Sequence, residues 1–167
     1  MKLISTASAD PSAFLRMAQD WREHDTDRYA LALDDFGRYL QQLRCEEAAD
    51  QPMGRVPSAQ YCLECDGEIM ACIRLRFYLT PDLEQEGGHI GYDVRPSARG
   101  KGFGTTLLRL VLVHAKQQGL ERVLLTADAQ NLPSLKVIER NGGVLSGEVI
   151  SPTTGKPMRH YWIALPP

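Results

Sequence analysis

No stretch of this chain approaches the ~18 consecutive apolar residues that a membrane-spanning helix requires. The N-terminal MKLISTASADPSAFLRMAQDW also lacks the apolar core of a secretion signal, so the expected location is the cytoplasm. Neither charge dominates: 19 Lys and Arg stand against 21 Asp and Glu, a net charge of −2 that argues against general nucleic-acid binding. Internal repeats, low-complexity tracts and Gly/Ser/Pro-rich linkers are missing too, so residues 1–167 read as a single domain. A chain of this size buries about two-thirds of its unfolded surface. Its hydrophobic fraction of 43% and charged fraction of 24% are ordinary for a folded domain, which excludes disorder.

Cysteine is scarce, with only Cys45, Cys62, Cys65 and Cys72. Cys62 and Cys65 form a CxxC, yet zinc needs a second ligand pair and a redox CxxC opens a helix. YCLEC reads instead as a strand, where residues three apart point to opposite faces, so the thiols are expected as small packed residues. The histidines His24, His114 and His160 have no metal-ligand spacing, and no metal is expected.

What is present is unevenly distributed. Met1 to Arg95 holds 17 acidic and 10 basic residues, while Pro96 to Pro167 holds 4 acidic and 9 basic. A basic C-terminal half suits a polyanionic small ligand, and an acidic N-terminal half suits a cationic partner, although uneven solvated surface would look the same.

The periodicities predict a short strand over Met1 to Ser5, a helix from Asp10 or Ser12 to about Arg22, and a helix over Leu33 to Glu47. Gln51 to Ser58 reads as a loop. Ala59 to Cys65 and Glu68 to Tyr78 form a hairpin about Asp66-Gly67, a pair suited to the positive φ angles of a tight turn. After a polar loop from Thr80 to Gly88 come a strand (His89 to Val94), a helix (Phe103 to Gln118), a strand (Arg122 to Ala127) and a helix (Asn131 to Arg140). Val144 to Ile150 and Arg159 to Leu165 close the chain as strands. This order belongs to the mixed α/β or α+β class.

The segment RPSARGKGFGTTLLRL, Arg95 to Leu110, carries the clearest chemistry. A glycine-rich turn between a strand and a helix N-terminus leaves backbone N–H groups unpaired, adds the helix dipole, and removes the Cβ atoms that would block a phosphate. The spacing GxxxxGK[ST] fails here, because Gly102 follows Lys101. GxGxxG fails too, since its third glycine would fall on Thr105 or Leu107.

Arg99-Gly100-Lys101-Gly102-Phe103-Gly104 fits R/Q-x-x-G-x-G/A, and with it the chain resembles the GNAT superfamily of acyl-CoA-dependent N-acetyltransferases. IGYDVRPSARGKGFGTTLL resembles that family's fourth strand, pyrophosphate loop and third helix, and Asn131-Leu-Pro-Ser134, with its helix ending Asn-Gly-Gly, resembles the next cofactor-binding segment. The resemblance implies a mostly antiparallel twisted sheet, flanked by helices, with a central parallel strand pair that splays apart. It implies that backbone N–H groups of Arg99, Gly100, Lys101, Gly102, Phe103, Gly104 and Thr105 hold the pyrophosphate of acetyl-CoA. The pantetheine arm would lie between Asp93-Val94 and Leu125-Thr126, held by Asn131 and Ser134, with Lys101, Lys136 or Arg140 near the phosphates.

The chemistry so implied is direct attack of an amine on the thioester, with the Val94 N–H as oxyanion donor. The tyrosine that relatives often use as acid falls at Ile138, a departure that leaves Tyr161 or Tyr92, or an unassisted thiolate. The base expected at the start of the strand is His89, with Glu84, Glu86 and Asp93 in reserve. The acceptor region would include Asp34, Asp35, Tyr61, Arg74, Arg76, Tyr78 and the acidic loop Asp82 to Glu86. Those acids would suit a polyamine, amino sugar, amino acid or peptide N-terminus, while Arg74 and Arg76 would suit a carboxylate. A non-catalytic acyl-CoA sensor, or a transferase of longer acyl groups, is the alternative. The family also allows a homodimer.

Overall fold

Residues 1–24, 26–48 and 55–166 are described in the structure, a computed structural model. The order is β1 (Lys2–Ser5), α1 (Pro11–Glu23), α2 (Ala30–Asp34), α3 (Phe36–Glu47), β2 (Ser58–Cys65), β3 (Glu68–Arg76), α4 (Pro81–Gln85) and β4 (Ile90–Val94). Then follow α5 (Phe103–Gln117), β5 (Arg122–Asp128), α6 (Leu132–Arg140), β6 (Val144–Ile150) and β7 (Pro157–Ala164). Gln51–Gly54, part of the expected loop, lie outside the described residues.

Two expectations change. The helix expected over Leu33 to Glu47 divides at Asp35, whose extended backbone (φ −153°) lets its carboxylate accept from Arg38 N and start α3 afresh. The loop after Thr80 contains α4, opened by Thr80 as its cap with Pro81 in the first turn. The hairpin matches its signal: Asp66 (φ 53°) and Gly67 (φ 78°) turn β2 into β3.

Four strands form one sheet in the order β1-β2-β3-β4, and three form another in the order β5-β7-β6, every ladder being antiparallel. β4 and β5 carry no ladder between them among the described residues. They meet just before β4, where His89 N donates to Leu124 O at 2.8 Å. Gly88 permits this approach: at φ +60° a Cβ there would sit 2.4 Å from Leu124 O.

The first sheet buries both faces. α5 lays Leu107, Leu108, Val111 and Ala115 against Leu63, Ile73, Leu75 and Leu125, and each buried aliphatic side chain contributes about 1.5–3 kcal/mol. On the other face α1 to α3 pack Phe14, Met17, Tyr29 and Tyr39 against Ile69, Cys62 and Cys72. The CxxC thiols diverge as a strand requires. Cys62 is buried opposite Cys72, with sulfurs 3.2 Å apart, and Cys65 is half-buried.

Candidate active site

The turn between β4 and α5 is anchored before it is shaped. Asp20 of α1, itself buried, accepts from Arg95 Nε (3.0 Å), Ser97 N (3.1 Å) and Ser97 Oγ (2.6 Å). Burial pushes the Asp20 carboxyl up, but the two Ser97 bonds and Arg95 outweigh it and hold it below its ordinary range. Arg95 also reaches Glu68 Oε2 at 3.1 Å, tying the turn to the start of β3.

Glycine is required in this turn for two different reasons. Gly100 (φ +75°) and Gly102 (φ +83°) adopt left-handed backbone although a Cβ would meet nothing within 4 Å, so the demand is conformational. At Gly104 the demand is spatial, because a Cβ would lie 3.3 Å from Val94 Cγ2 and 3.4 Å from Val137 Cγ2. α5 therefore begins with Gly102 and no side-chain cap, whereas Asp10, Asp35, Thr80 and Asn131 cap α1, α3, α4 and α6. Its first N–H groups are left for a guest, and the helix dipole favours an anion.

A cavity of about 610 Å³ opens over this helix end, within the usual range for ligand pockets. Val94, Arg99, Gly100, Gly102, Phe103, Gly104, Thr105, Asn131 and Ser134 all line it, together with Lys136 and Arg140. Lys101 does not. Its ammonium turns back to Ser97 O at 3.2 Å. Asn131 accepts from Ser134 N at 3.2 Å, which fixes the start of α6 beside the cavity.

β4 presents here a backbone edge that no strand pairs among the described residues, with Val94 O accepting from Arg99 Nε at 3.4 Å. Arg76 N donates to His89 O and Arg95 N donates to Met70 O, and Gly91 and Asp93 stand opposite Arg74 and Cys72. The odd-numbered residues thus carry the ladder to β3, and the N–H and C=O groups of Tyr92 and Val94 face away from it. The Tyr92 hydroxyl lies in the same cavity, 2.8 Å from Ser134 Oγ. Burial pushes that hydroxyl up, against the opposing bond to Ser134, so it keeps its proton at neutral pH.

On the opposite face of β4 lies a second cavity of about 450 Å³, lined by Arg28, Tyr29, Tyr39, Gln60, Arg74, Arg76, Gly91 and Asp93 among others. Arg28 and Asp93 border both cavities. The Asp93 carboxylate accepts from Arg28 Nε at 2.7 Å and from Tyr29 Oη at 2.9 and 3.0 Å. Burial raises it above its ordinary range despite Arg28 and Tyr29, which makes it a stronger base than an exposed aspartate.

The sequence model of the Acetyltransferase (GNAT) family matches residues 15–143. The chain belongs to this family. Mycothiol acetyltransferase of Streptomyces avermitilis is 36% identical over 88 residues, 52% of this chain but 27% of that protein, and its counterpart from Thermomonospora curvata is 34% identical over 89 residues. The chain thus spans about a quarter of the curated relatives it matches. The fold is shared with the Vibrio fischeri ribosomal-protein-S5-alanine acetyltransferase (TM-score 0.70, 16% identity, 97% of this chain and 91% of that one). It is shared also with yncA from Salmonella typhimurium, solved with acetyl-CoA (0.66, 13%, 99% and 94%), and with spermidine N-acetyltransferase SpeG from Vibrio cholerae (0.65, 12%, 99% and 95%).

Within this GNAT chain, the expected base His89 and the candidate acid Tyr161 lie elsewhere, while the reserve base Asp93 and the other candidate acid Tyr92 line the cavities. His89 borders neither cavity; its Nδ1 accepts from Leu124 N at 2.9 Å, and its ring stands edge-on to Trp162. Burial, with Arg76 and Arg122 nearby, lowers it to about 4, so it is neutral at pH 7. Strand alternation alone would group it with Asp93, but it precedes β4, where the left-handed Gly88 turns it toward β5. Tyr161 is buried and donates to Glu139 Oε1 at 2.9 Å, also outside both cavities. Ile138 is core, packed with Leu135 and Tyr161.

Of the residues expected around an acceptor, only Arg74 and Arg76 line the second cavity. Asp35 caps α3, Tyr61 packs on His114, and Glu86 accepts from Ser151 Oγ at 3.0 Å. Sequence reasoning missed Trp21, Arg28 and Tyr29. Trp21 walls the first cavity with its indole Nε1 unpartnered and the Arg28 and Arg99 guanidiniums 5.6 and 5.0 Å from its ring. Arg28 and Tyr29 reach Asp93 across more than sixty residues, and no local pattern announces such a contact.

Proposed function

We propose that this protein is an N-acetyltransferase that moves an acetyl group from acetyl-CoA to a primary amine by direct attack on the thioester. One observation carries the reading: the uncapped N-terminus of α5 and the edge of Tyr92 and Val94 that no strand covers open into one cavity, so a single ligand can meet both an anion site and an open strand edge. The glycine turn fits such a ligand, since left-handed Gly100 and Gly102 put no Cβ beside the uncapped helix end.

Backbone N–H groups from Gly100 to Thr105 hold the pyrophosphate, and Lys136 and Arg140 supply countercharge. The open edge of β4 pairs with the pantetheine arm, and Asn131 and Ser134 flank it. Acetyl-CoA supplies the activated acyl group; the residues below move protons around it. Asp93, bordering both cavities, takes the proton from the attacking ammonium. The Val94 N–H, on the free edge, faces the carbonyl oxygen as charge develops there. Tyr92, held by Ser134, returns a proton to the departing thiolate, so the reaction needs no tyrosine at position 138. Each group is set by backbone or by a buried bond before substrate arrives, which lowers the reorganisation the reaction requires.

Thermal unfolding with acetyl-CoA, CoA, ATP and NAD at matched concentrations tests the cofactor. A ligand at 100 times its Kd stabilises by about 2.7 kcal/mol, and each kcal/mol moves the midpoint by roughly 2–4 °C at this size. A shift with both CoA species alone, followed by CoA release with an amine panel, is the expected result. Binding without turnover on a broad panel would make the protein a sensor, and a larger shift with propionyl- or succinyl-CoA would change the acyl group.

A further inference from the structure

We propose that the second cavity selects amines that carry an anionic group, a carboxylate or phosphate, received by Arg76 together with Arg74. The proposal deepens, and rests on, the transferase reading of the first cavity. Three guanidiniums and one carboxylate line the second cavity. Two of the three are matched, Arg28 by Asp93 at 2.7 Å and Arg74 by Glu46 at 2.9 Å. Among the described residues no carboxylate lies within salt-bridge distance of Arg76, and the charge in its favour, Glu46, is already paired with Arg74. Its hydrogen bonds are from Nη1 to the carbonyls of Gly88 (3.0 Å) and Gly87 (3.4 Å), so among the described residues Nε and Nη2 have none.

Arg76 is held in an unfavourable place for a lone cation. It is two residues from Arg74 on one face of β3, and burial and that neighbouring charge push its pKa down against the weaker, favourable charge of Glu46, while its guanidinium stays protonated at neutral pH. An anion beside the two would relieve that repulsion and take up the unused donors. The remaining polar lining, including Gln42, Gln60 and Tyr39, is neutral, with Gln60 Nε2 donating to Tyr39 Oη at 2.6 Å.

The strand register gives the site a direction. Asp93 stands opposite Cys72 and Gly91 opposite Arg74, and the Arg76 N–H binds His89 O. The two cations are therefore about 7 and 13 Å along β3 from the level of Asp93, measured by backbone rise. Gly91 lies between, where a Cβ would meet nothing within 4 Å, and keeps that floor bare. An amine presented to Asp93 can extend its anionic end over Gly91 toward the arginines. A polyamine would bring its second cation to the same place.

The test is CoA release by the acetyl-CoA-binding protein across paired acceptors. The panel contains the protein amino acids and the ω-amino carboxylates from glycine to 6-aminohexanoate, each beside its amide, with aminoalkyl phosphates and spermidine. The expected result is at least one anionic amine with kcat/KM tenfold or more above its uncharged partner, the gain lying mainly in KM. Arg76→Gln shrinks that ratio at least tenfold and Arg76→Lys restores part of it, with the thermal shift by acetyl-CoA showing that each variant is folded. The carboxylate and phosphate arms tell which anion is preferred. Spermidine or the amides as best acceptors, an unchanged ratio in a folded Arg76→Gln, or no turnover of any anionic amine while acetyl-CoA binds would each overturn the proposal. Absence of an acetyl-CoA shift would refute the transferase reading instead. The same pairs are then titrated by calorimetry, and equal affinity of carboxylate and amide refutes the anion site.

Discussion

Replacing His89 by alanine is expected to cost stability and leave acetyl transfer nearly intact. The His89 Nδ1 accepts from Leu124 N at 2.9 Å, and without it a buried N–H is left unpaired. That loss is worth about 1–3 kcal/mol, so the unfolding midpoint should fall by roughly 2–12 °C for a chain of this size. His89→Asn carries an acceptor at similar reach and should recover part of the loss. The pH dependence follows with a definite sign. His89 is lowered to about 4, so its contribution is present above the ordinary histidine range near 6.5 and lost as pH falls from there toward 4. Acid destabilisation across that window should therefore shrink in the alanine variant.

Asp93→Asn, nearly the same shape, should give the opposite result. It removes the group that borders both cavities and is expected to lower kcat by about 10²–10⁴. Because burial raises the Asp93 carboxyl, activity of the parent protein should fall on the acid side at a pH above the usual carboxylate range, and this limb should vanish in the variant. Rates are measured at a temperature where all three variants are folded by circular dichroism. If His89→Asn abolished transfer while Asp93→Asn stayed within threefold of the parent, the assignment of the base would be reversed.

Gly88→Ala should destabilise by at least ~2 kcal/mol, since strain at positive φ is compounded by a Cβ 2.4 Å from a backbone oxygen; an unchanged urea midpoint would contradict the tight β4 to β5 entry. Ile138→Tyr should cost about 1–3 kcal/mol through overpacking and bring no gain in turnover, because the side chain faces the core. A rise in kcat would show that the acid belongs at 138 after all. Asp20→Asn should cost about 1.5–3 kcal/mol by weakening bonds to Arg95 and Ser97, and should weaken acetyl-CoA binding by loosening the turn. Since the Asp20 carboxyl is lowered, its contribution is present above the ordinary range near 4 and lost as pH falls through its lowered value, so the variant and parent should converge in acid.

What could be read from residues alone was what neighbouring residues determine. The turn from Arg99 to Gly104, the helix beginning about Asn131 and the Asp66-Gly67 hairpin are each stated within a few positions, and each stands where its spacing placed it. α4 was legible too, since Thr80-Pro81-Asp82 is a helix-start signal, but a polar segment hid it. The break at Asp35 was the same kind of miss, a capping aspartate read as interior to a longer helix.

The acceptor side follows a different rule. Alternation along β4 correctly put Asp93 and Tyr92 on opposite faces, but periodicity alone cannot say which face meets which helix. That is decided by α1 to α3 packing on one side and α5 and α6 on the other, through contacts such as Tyr29 to Asp93 and Tyr92 to Ser134. Once those packings are known, β4 becomes a partition whose two faces serve two cavities, and Asp93 is the acid of that strand that touches both. The charge division read along the sequence then changes meaning. The acidic first half supplies α1 to α3, β2 and β3, yet its acids cap helices and pair with arginines, so the charged lining of the cavity they surround is three arginines against one aspartate. Composition of the first half alone suits a cationic acceptor, where the arrangement of the same residues favours an amine that also carries an anionic group.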